Sequence, residues 1–141
     1  MSENLSIIRW FEIPATDFER AVKFYSEVLD LKIEVKSFNG IAHGVFSTGK
    51  GSISGTIVKT ESVNTSNSGP VIYFRVVFDM NEMLRKIESL GGKILLPKTL
   101  IKNTLTSGGS MIPKNAIDNQ IGYYALFLDC EGNKMALYSN S

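Results

Sequence analysis

The chain has 141 residues, enough for one domain that buries most of the surface its unfolded form exposes and too few for two large ones. Hydrophobic residues make up 43% and charged residues 21%, which excludes an unfolded polar chain, and a formal net charge of +1 supplies no field to draw the protein onto phosphate backbones or anionic lipid. One cysteine, Cys130, excludes an internal disulfide, the first residues lack the pattern of a secretory leader, and no apolar run reaches the ~20 residues of a spanning helix. The expectation is a cytoplasmic protein whose partners include neither nucleic acid nor membrane.

Ile7, Ile8, Trp10, Phe11 and Ile13 predict a strand over 7–13, ended by Pro14. Thr16 and Glu19 fit a capping box at the start of a helix whose apolar stripe is Phe18, Ala21, Val22, Tyr25, Val28 and Leu29. Three short strands follow, around 32–38, 41–47 and 53–59, separated by Asn39-Gly40 and Thr48-Gly49-Lys50-Gly51, residues that tolerate the positive φ of tight turns. This first βαβββ module spans 5–60. The Ser, Asn and Thr of 61–69 cannot supply a core and form a linker.

The pattern then restarts over 70–139. A strand is predicted at 71–78, a cap at Asp79 and Glu82, and a stripe at Met80, Met83, Leu84, Ile87 and Leu90. The stripe residues lie 62 positions after Phe18, Ala21, Val22, Tyr25 and Val28, an internal repeat. Gly91-Gly92 closes the helix, a strand follows at 93–96, and 123–129 with 134–138 form a hairpin turning at Cys130-Glu131-Gly132-Asn133. Matching Phe46 to Phe127 raises the offset to 81, and 81 less 62 leaves 19 residues inserted within a long loop at 97–121, a candidate lid or a segment with no role.

The segment from Trp10 to Tyr25, with Asp17, Arg20, Ala21, Phe24 and Tyr25, and the turn Asp129-Cys130-Glu131-Gly132-Asn133 resemble the vicinal oxygen chelate superfamily, which holds glyoxalase I, bleomycin-resistance proteins, fosfomycin-resistance enzymes and extradiol dioxygenases. The resemblance implies an α+β fold in which tandem βαβββ modules form a curved mixed sheet around a cavity, helices outside, and it implies a homodimer. It also implies that metal ligands, where relatives have them, stand on the first and last strands of each module. Those positions fall here at Trp10, Tyr73, Ala136 and either Gly55 or Thr56. Indole and methyl groups offer no lone pair and a neutral phenol binds metal poorly. The expectation is no metal cofactor at the usual place.

Alternation along a strand places Glu12 beside Trp10 and Arg75 beside Tyr73 on the inward face, so Glu12 and Arg75 are expected to pair, directly or across a ligand. Trp10, Tyr73, Tyr123, Phe127 and Tyr138, with Thr56 and Ala136, are expected to line a pocket for a planar or apolar molecule whose anionic end meets Arg75. Glu12 and His43, the only histidine, are the candidate acid–base pair. Cys130, between Asp129 and Glu131, is a poor nucleophile. Three functions stay open: a small-molecule binder or metal-free enzyme, a divalent-metal lyase or dioxygenase with relocated ligands such as Glu12 and His43, and a dimerisation module with a filled core.

Overall fold

The computed structural model describes residues 7–49, 54–61, 69–101 and 122–141. Strand β1 (Trp10–Ala15) leads into α1 (Phe18–Val28), then β2 (Ile33–Phe38), β3 (Ile41–Phe46) and β4 (Ser54–Lys59). The second module repeats the order with β5 (Ile72–Arg75), α2 (Met80–Ser89), β6 (Lys93–Leu100), β7 (Tyr123–Leu128) and β8 (Lys134–Ser139). Each module forms its own four-stranded mixed sheet, ordered β1-β4-β3-β2 and β5-β8-β7-β6, with the first and last strands parallel. The tandem βαβββ architecture expected from the repeat is present, as two sheets that do not close into a barrel.

Several boundaries differ from expectation. β1 starts at Trp10 and runs through Pro14, which the edge position of the strand tolerates because no ladder bond is required of its missing N–H. The N-cap of α1 is Asp17, whose Oδ1 accepts from the Arg20 amide at 3.2 Å, and not Thr16. The cap of α2 is Asp79, accepting from the Glu82 amide at 3.0 Å, so the two caps obey the 62-residue offset. β5 ends at Arg75, short of the expected Phe78. β6 continues past Leu96 to Leu100 by means of register shifts against β7, so the long loop starts later than residue 97, and 102–121 lie outside the described residues, as do 62–68 of the linker. The β2–β3 turn matches its sequence: Asn39 and Gly40 adopt φ of 52° and 77°, the mirror-image turn that suits strand twist.

Both helices and one face of each sheet enclose a single apolar core. Phe11 and Phe74, from β1 and β5, lie 6.2 Å apart between ring centroids, and Tyr25 of α1 packs on Phe46 of the first module and Phe74 of the second at 5.9 and 5.8 Å. No helix among the described residues is long and apolar enough to cross a membrane.

Candidate functional site

With Phe11, Ile13, Ile57, Phe74, Met135 and Leu137 committed to the core, the pleat turns the alternate side chains to the face opposite the helices. On the first sheet this open face carries Trp10 opposite Ser54, then Glu12 opposite Thr56 and Val45, then Val58 opposite His43. On the second it carries Tyr73 opposite Ala136, with Leu126 next, then Arg75 opposite Tyr138, with Tyr124 next. Trp10 and Tyr73 remain 46% and 53% exposed, large aromatics that neither helix covers.

Seven of the ten expected site residues lie on these open faces in neighbouring positions: Trp10, Glu12 and Thr56 on one, Tyr73, Arg75, Ala136 and Tyr138 on the other. Thr56 is fully covered, its hydroxyl bonded to the Ile57 carbonyl at 3.2 Å. His43 shares the face with Glu12 but stands two strands away, about 10 Å to the side at normal strand spacing. Its Nδ1 lies 2.9 Å from the Ile41 carbonyl and its ring meets Phe38 edge-on at 4.9 Å, so the two residues do not meet as an acid–base pair.

Three corrections follow. Phe127 points to the helices, fully buried against Phe24 at 6.4 Å, and Tyr123 packs on the same core, so neither shares a face with Tyr73. Glu12 and Arg75 are both exposed and form no ion pair with each other, because a charge left in water gains little from pairing. Of the two expected counterparts of Ala136, Gly55 is excluded, whereas Thr56 pairs with Val45 as Ala136 pairs with Leu126, and Ser54 stands opposite Trp10 as Ala136 stands opposite Tyr73. Gly55 lies on the helix side, where a Cβ would come within 2.5 Å of the Phe11 carbonyl oxygen.

The side chains at the ligand positions are thus Trp10, Tyr73, Ala136 and a hydroxyl residue, Thr56 or Ser54. Among the described residues no group of three or more His, Cys, Asp or Glu is placed to hold a metal ion. That donor set does not fit a divalent cation.

The most heavily hydrogen-bonded carboxylates lie elsewhere, in the β7–β8 turn. Glu131, its side chain 2% exposed, accepts from the Thr16 amide at 2.6 Å, the Thr16 hydroxyl at 2.9 Å, the Asp17 amide at 3.1 Å and Arg20 Nη2 at 2.7 Å. Burial pushes its carboxyl up, but the bonds from Arg20, Thr16 and Asp17 outweigh that and hold it below the usual 4.5. Asp129 accepts from the Tyr25 hydroxyl at 2.5 Å and from the amides of Glu131 and Asn133, both at 2.8 Å. Burial, then Asp129, raises the Tyr25 phenol well above 10.0. The Asn133 side-chain Nδ2 donates to the Pro14 carbonyl at 3.1 Å. Asp129 and Asn133 thus shape the turn, while Glu131 ties it to the start of α1. Its only local signal is an acid in a turn between two apolar strands, and its partners lie more than 110 residues away.

Cys130 is 9% exposed, and burial followed by the Asp129 charge pushes its thiol up to about 12. At pH 8 only about one thiol in ten thousand is then ionised. Iodoacetamide is expected to leave the native protein unmodified over hours while labelling it completely in denaturant, as intact mass would show. Rapid native labelling would restore Cys130 as a nucleophile candidate.

The model of the Glyoxalase/Bleomycin resistance protein/Dioxygenase superfamily matches residues 7–136. No curated protein matches the chain. Among solved structures, a glyoxalase I mutant from Zea mays superposes with a TM-score of 0.65 at 19% identity, over 94% of this chain and 45% of the maize chain, so the protein spans about half that relative's length. The fosfomycin resistance protein FosX from Listeria monocytogenes superposes with a TM-score of 0.60 at 13% identity, over 100% of this chain and 94% of its own. A hypothetical protein from S. aureus gives 0.59 at 15% identity, over 97% and 99%. At these identities the structural likeness concerns the fold, while the family match covers nearly the whole sequence: the chain belongs to the Glyoxalase/Bleomycin resistance protein/Dioxygenase superfamily.

Proposed function

We propose that this protein binds a small, planar organic molecule on the open faces of its sheets, as a cytoplasmic homodimer and with no divalent ion at the family's ligand positions. The observation that carries this reading is the pair of half-exposed aromatics, Trp10 and Tyr73, at equivalent places in the two modules, each with a charged residue, Glu12 or Arg75, two positions on. Exposed aromatic surface next to an unpaired charge suits a ligand with an apolar plane and a polar end. Phe38 and Ile41, each 46% exposed on the same face as Trp10, add apolar area for a second copy to cover. The buried free thiol of Cys130 agrees with a reducing compartment.

The rival reading, a metal-dependent lyase or dioxygenase on Glu12 and His43, has less support, since β4 separates those residues and the imidazole already meets the Ile41 carbonyl. Biphenyl-4-carboxylate is a suitable probe for the binding reading. It is expected to raise the melting temperature and to change the emission of Trp10, the only tryptophan. Replacing Tyr73 by alanine is expected to weaken it about tenfold, the worth of one good aromatic contact. No stabilisation by any aromatic acid, with stoichiometric zinc, nickel or iron in untagged protein, would overturn the proposal in favour of the metalloenzyme.

A further inference from the structure

The strands of the two sheets differ in charge. Those of the first hold both signs, with Glu12 and Glu34 beside Lys36 and Lys59. Those of the second hold Arg75, Lys93, Lys98 and Lys134 and no acid at all. The acids of the turn beside them, Asp129 and Glu131, are consumed by the bonds to α1. The register shows where the cations stand. Lys98 places Nζ 4.7 Å over the ring of Tyr123, on the helix side. The other three share the open face: Arg75 opposite Tyr138 at one end of β8, and Lys134 at the other end in a row with Leu128 and Lys93. Four steps along β8, from Lys134 to Tyr138, separate the rows by about 13 Å at the rise of a strand. Between them the accessible floor is Tyr73, Leu126 and Leu96, apolar apart from one phenol, with Ala136 fully covered beneath them. Among the described residues neither Arg75, Lys93 nor Lys134 forms an ion pair.

Resting on the binding reading above, we infer that this strip takes a flat molecule carrying an acidic group at each end, one met by Arg75 and the other by Lys134 with Lys93. A guanidinium presents a fork that fits a carboxylate in two bonds, whereas the two lysines supply point charges that adapt to either a carboxylate or a phosphate. The apolar floor accepts the plane between them, and among the described residues the strands of this face bring no acid to repel such a ligand. A neutral or singly charged planar molecule leaves one end of the strip unmatched.

Calorimetric titration of the full chain with 4,4′-biphenyldicarboxylate, biphenyl-4-carboxylate and biphenyl-4-methanol tests the inference. The diacid is expected to bind about tenfold or more tightly than the monoacid. Arg75→Gln and Lys134→Gln are each expected to bring the diacid to within about threefold of the monoacid, while Lys98→Gln, on the other side of the sheet, leaves it unchanged. Equal affinity for diacid and monoacid, with Tyr73→Ala still weakening both, would overturn the two-ended strip and leave the binding proposal standing. No binding of any of the three would overturn both. A loss with Lys98→Gln as large as that with Arg75→Gln would reduce the effect to overall charge and overturn the strip as well.

Discussion

Replacing Glu131 by alanine is expected to lower the melting temperature by roughly 10 °C. The carboxylate collects four donors from the start of α1, and two of them are backbone amides at the helix entry that no intrahelical carbonyl satisfies. Negative charge there also sits at the positive end of the helix dipole. Breaking a fully buried pair costs ~3–5 kcal/mol, but Arg20 is half-exposed and water replaces part of what it loses, so about 2–4 kcal/mol is expected. For a domain of this size each kcal/mol is worth ~3–4 °C. The effect depends on pH with a definite sign. Because the folded state holds the carboxyl below 4.5, its contribution is complete above that pH and fades as pH falls through the lower, folded value. Thermal unfolding of both proteins from pH 3 to 7 should therefore show a gap that is constant above about pH 5 and narrows below 4. A gap that widened in acid would mean that Glu131 is held protonated.

Glu131 also marks the limit of what local patterning reveals. The two modules were legible because their helical stripes repeat at one offset, and the hairpin at Asn39-Gly40 because its residues suit positive φ. The capping box read at Thr16 and Glu19 falls one residue early, because the adjacent Asp17 is of an equally good capping type. The 62-residue match of Asp17 to Asp79 ranks Asp17 above Thr16, and the Thr16 hydroxyl that a cap would have used is instead bonded to Glu131. The open-face residues of β1 and β5 were legible for a similar reason: Phe11, Ile13, Phe74 and Val76 are uniformly apolar, and charges stand only among their alternates. No alternation within the first or last module predicts that a turn near the C-terminus satisfies the start of the first helix, since the partners are far apart in the chain and polar residues in turns are ordinary.

β7 shows the other failure, and it yields the second large prediction. Tyr123, Ala125 and Phe127 alternate with Tyr124, Leu126 and Leu128, so both faces of the strand are aromatic or aliphatic and the pattern alone does not say which set is inside. Pairing with β8 decides it: Phe127 lies opposite Met135 and Ala125 opposite Leu137, all in the apolar core, whereas Leu126 lies opposite Ala136 on the other face. Phe127 also touches Phe24, so it joins α1 of the first module to the second sheet. Phe127→Ala is therefore expected to cost ~3–5 kcal/mol, a lost aromatic plus a cavity that two helices and a sheet cannot collapse to fill. Denaturant midpoints would show a fall of that size with an unchanged slope. Tyr138→Ala, on the half-buried open face beside Arg75, is expected to cost under about 1.5 kcal/mol, because its hydroxyl meets exposed Asn140 and its ring lies outside the buried apolar cluster. If Phe127 instead lined a ligand site, its truncation would weaken binding and leave folding nearly intact. Measuring midpoint and probe affinity on the same two variants separates a wall of the core from a wall of the site.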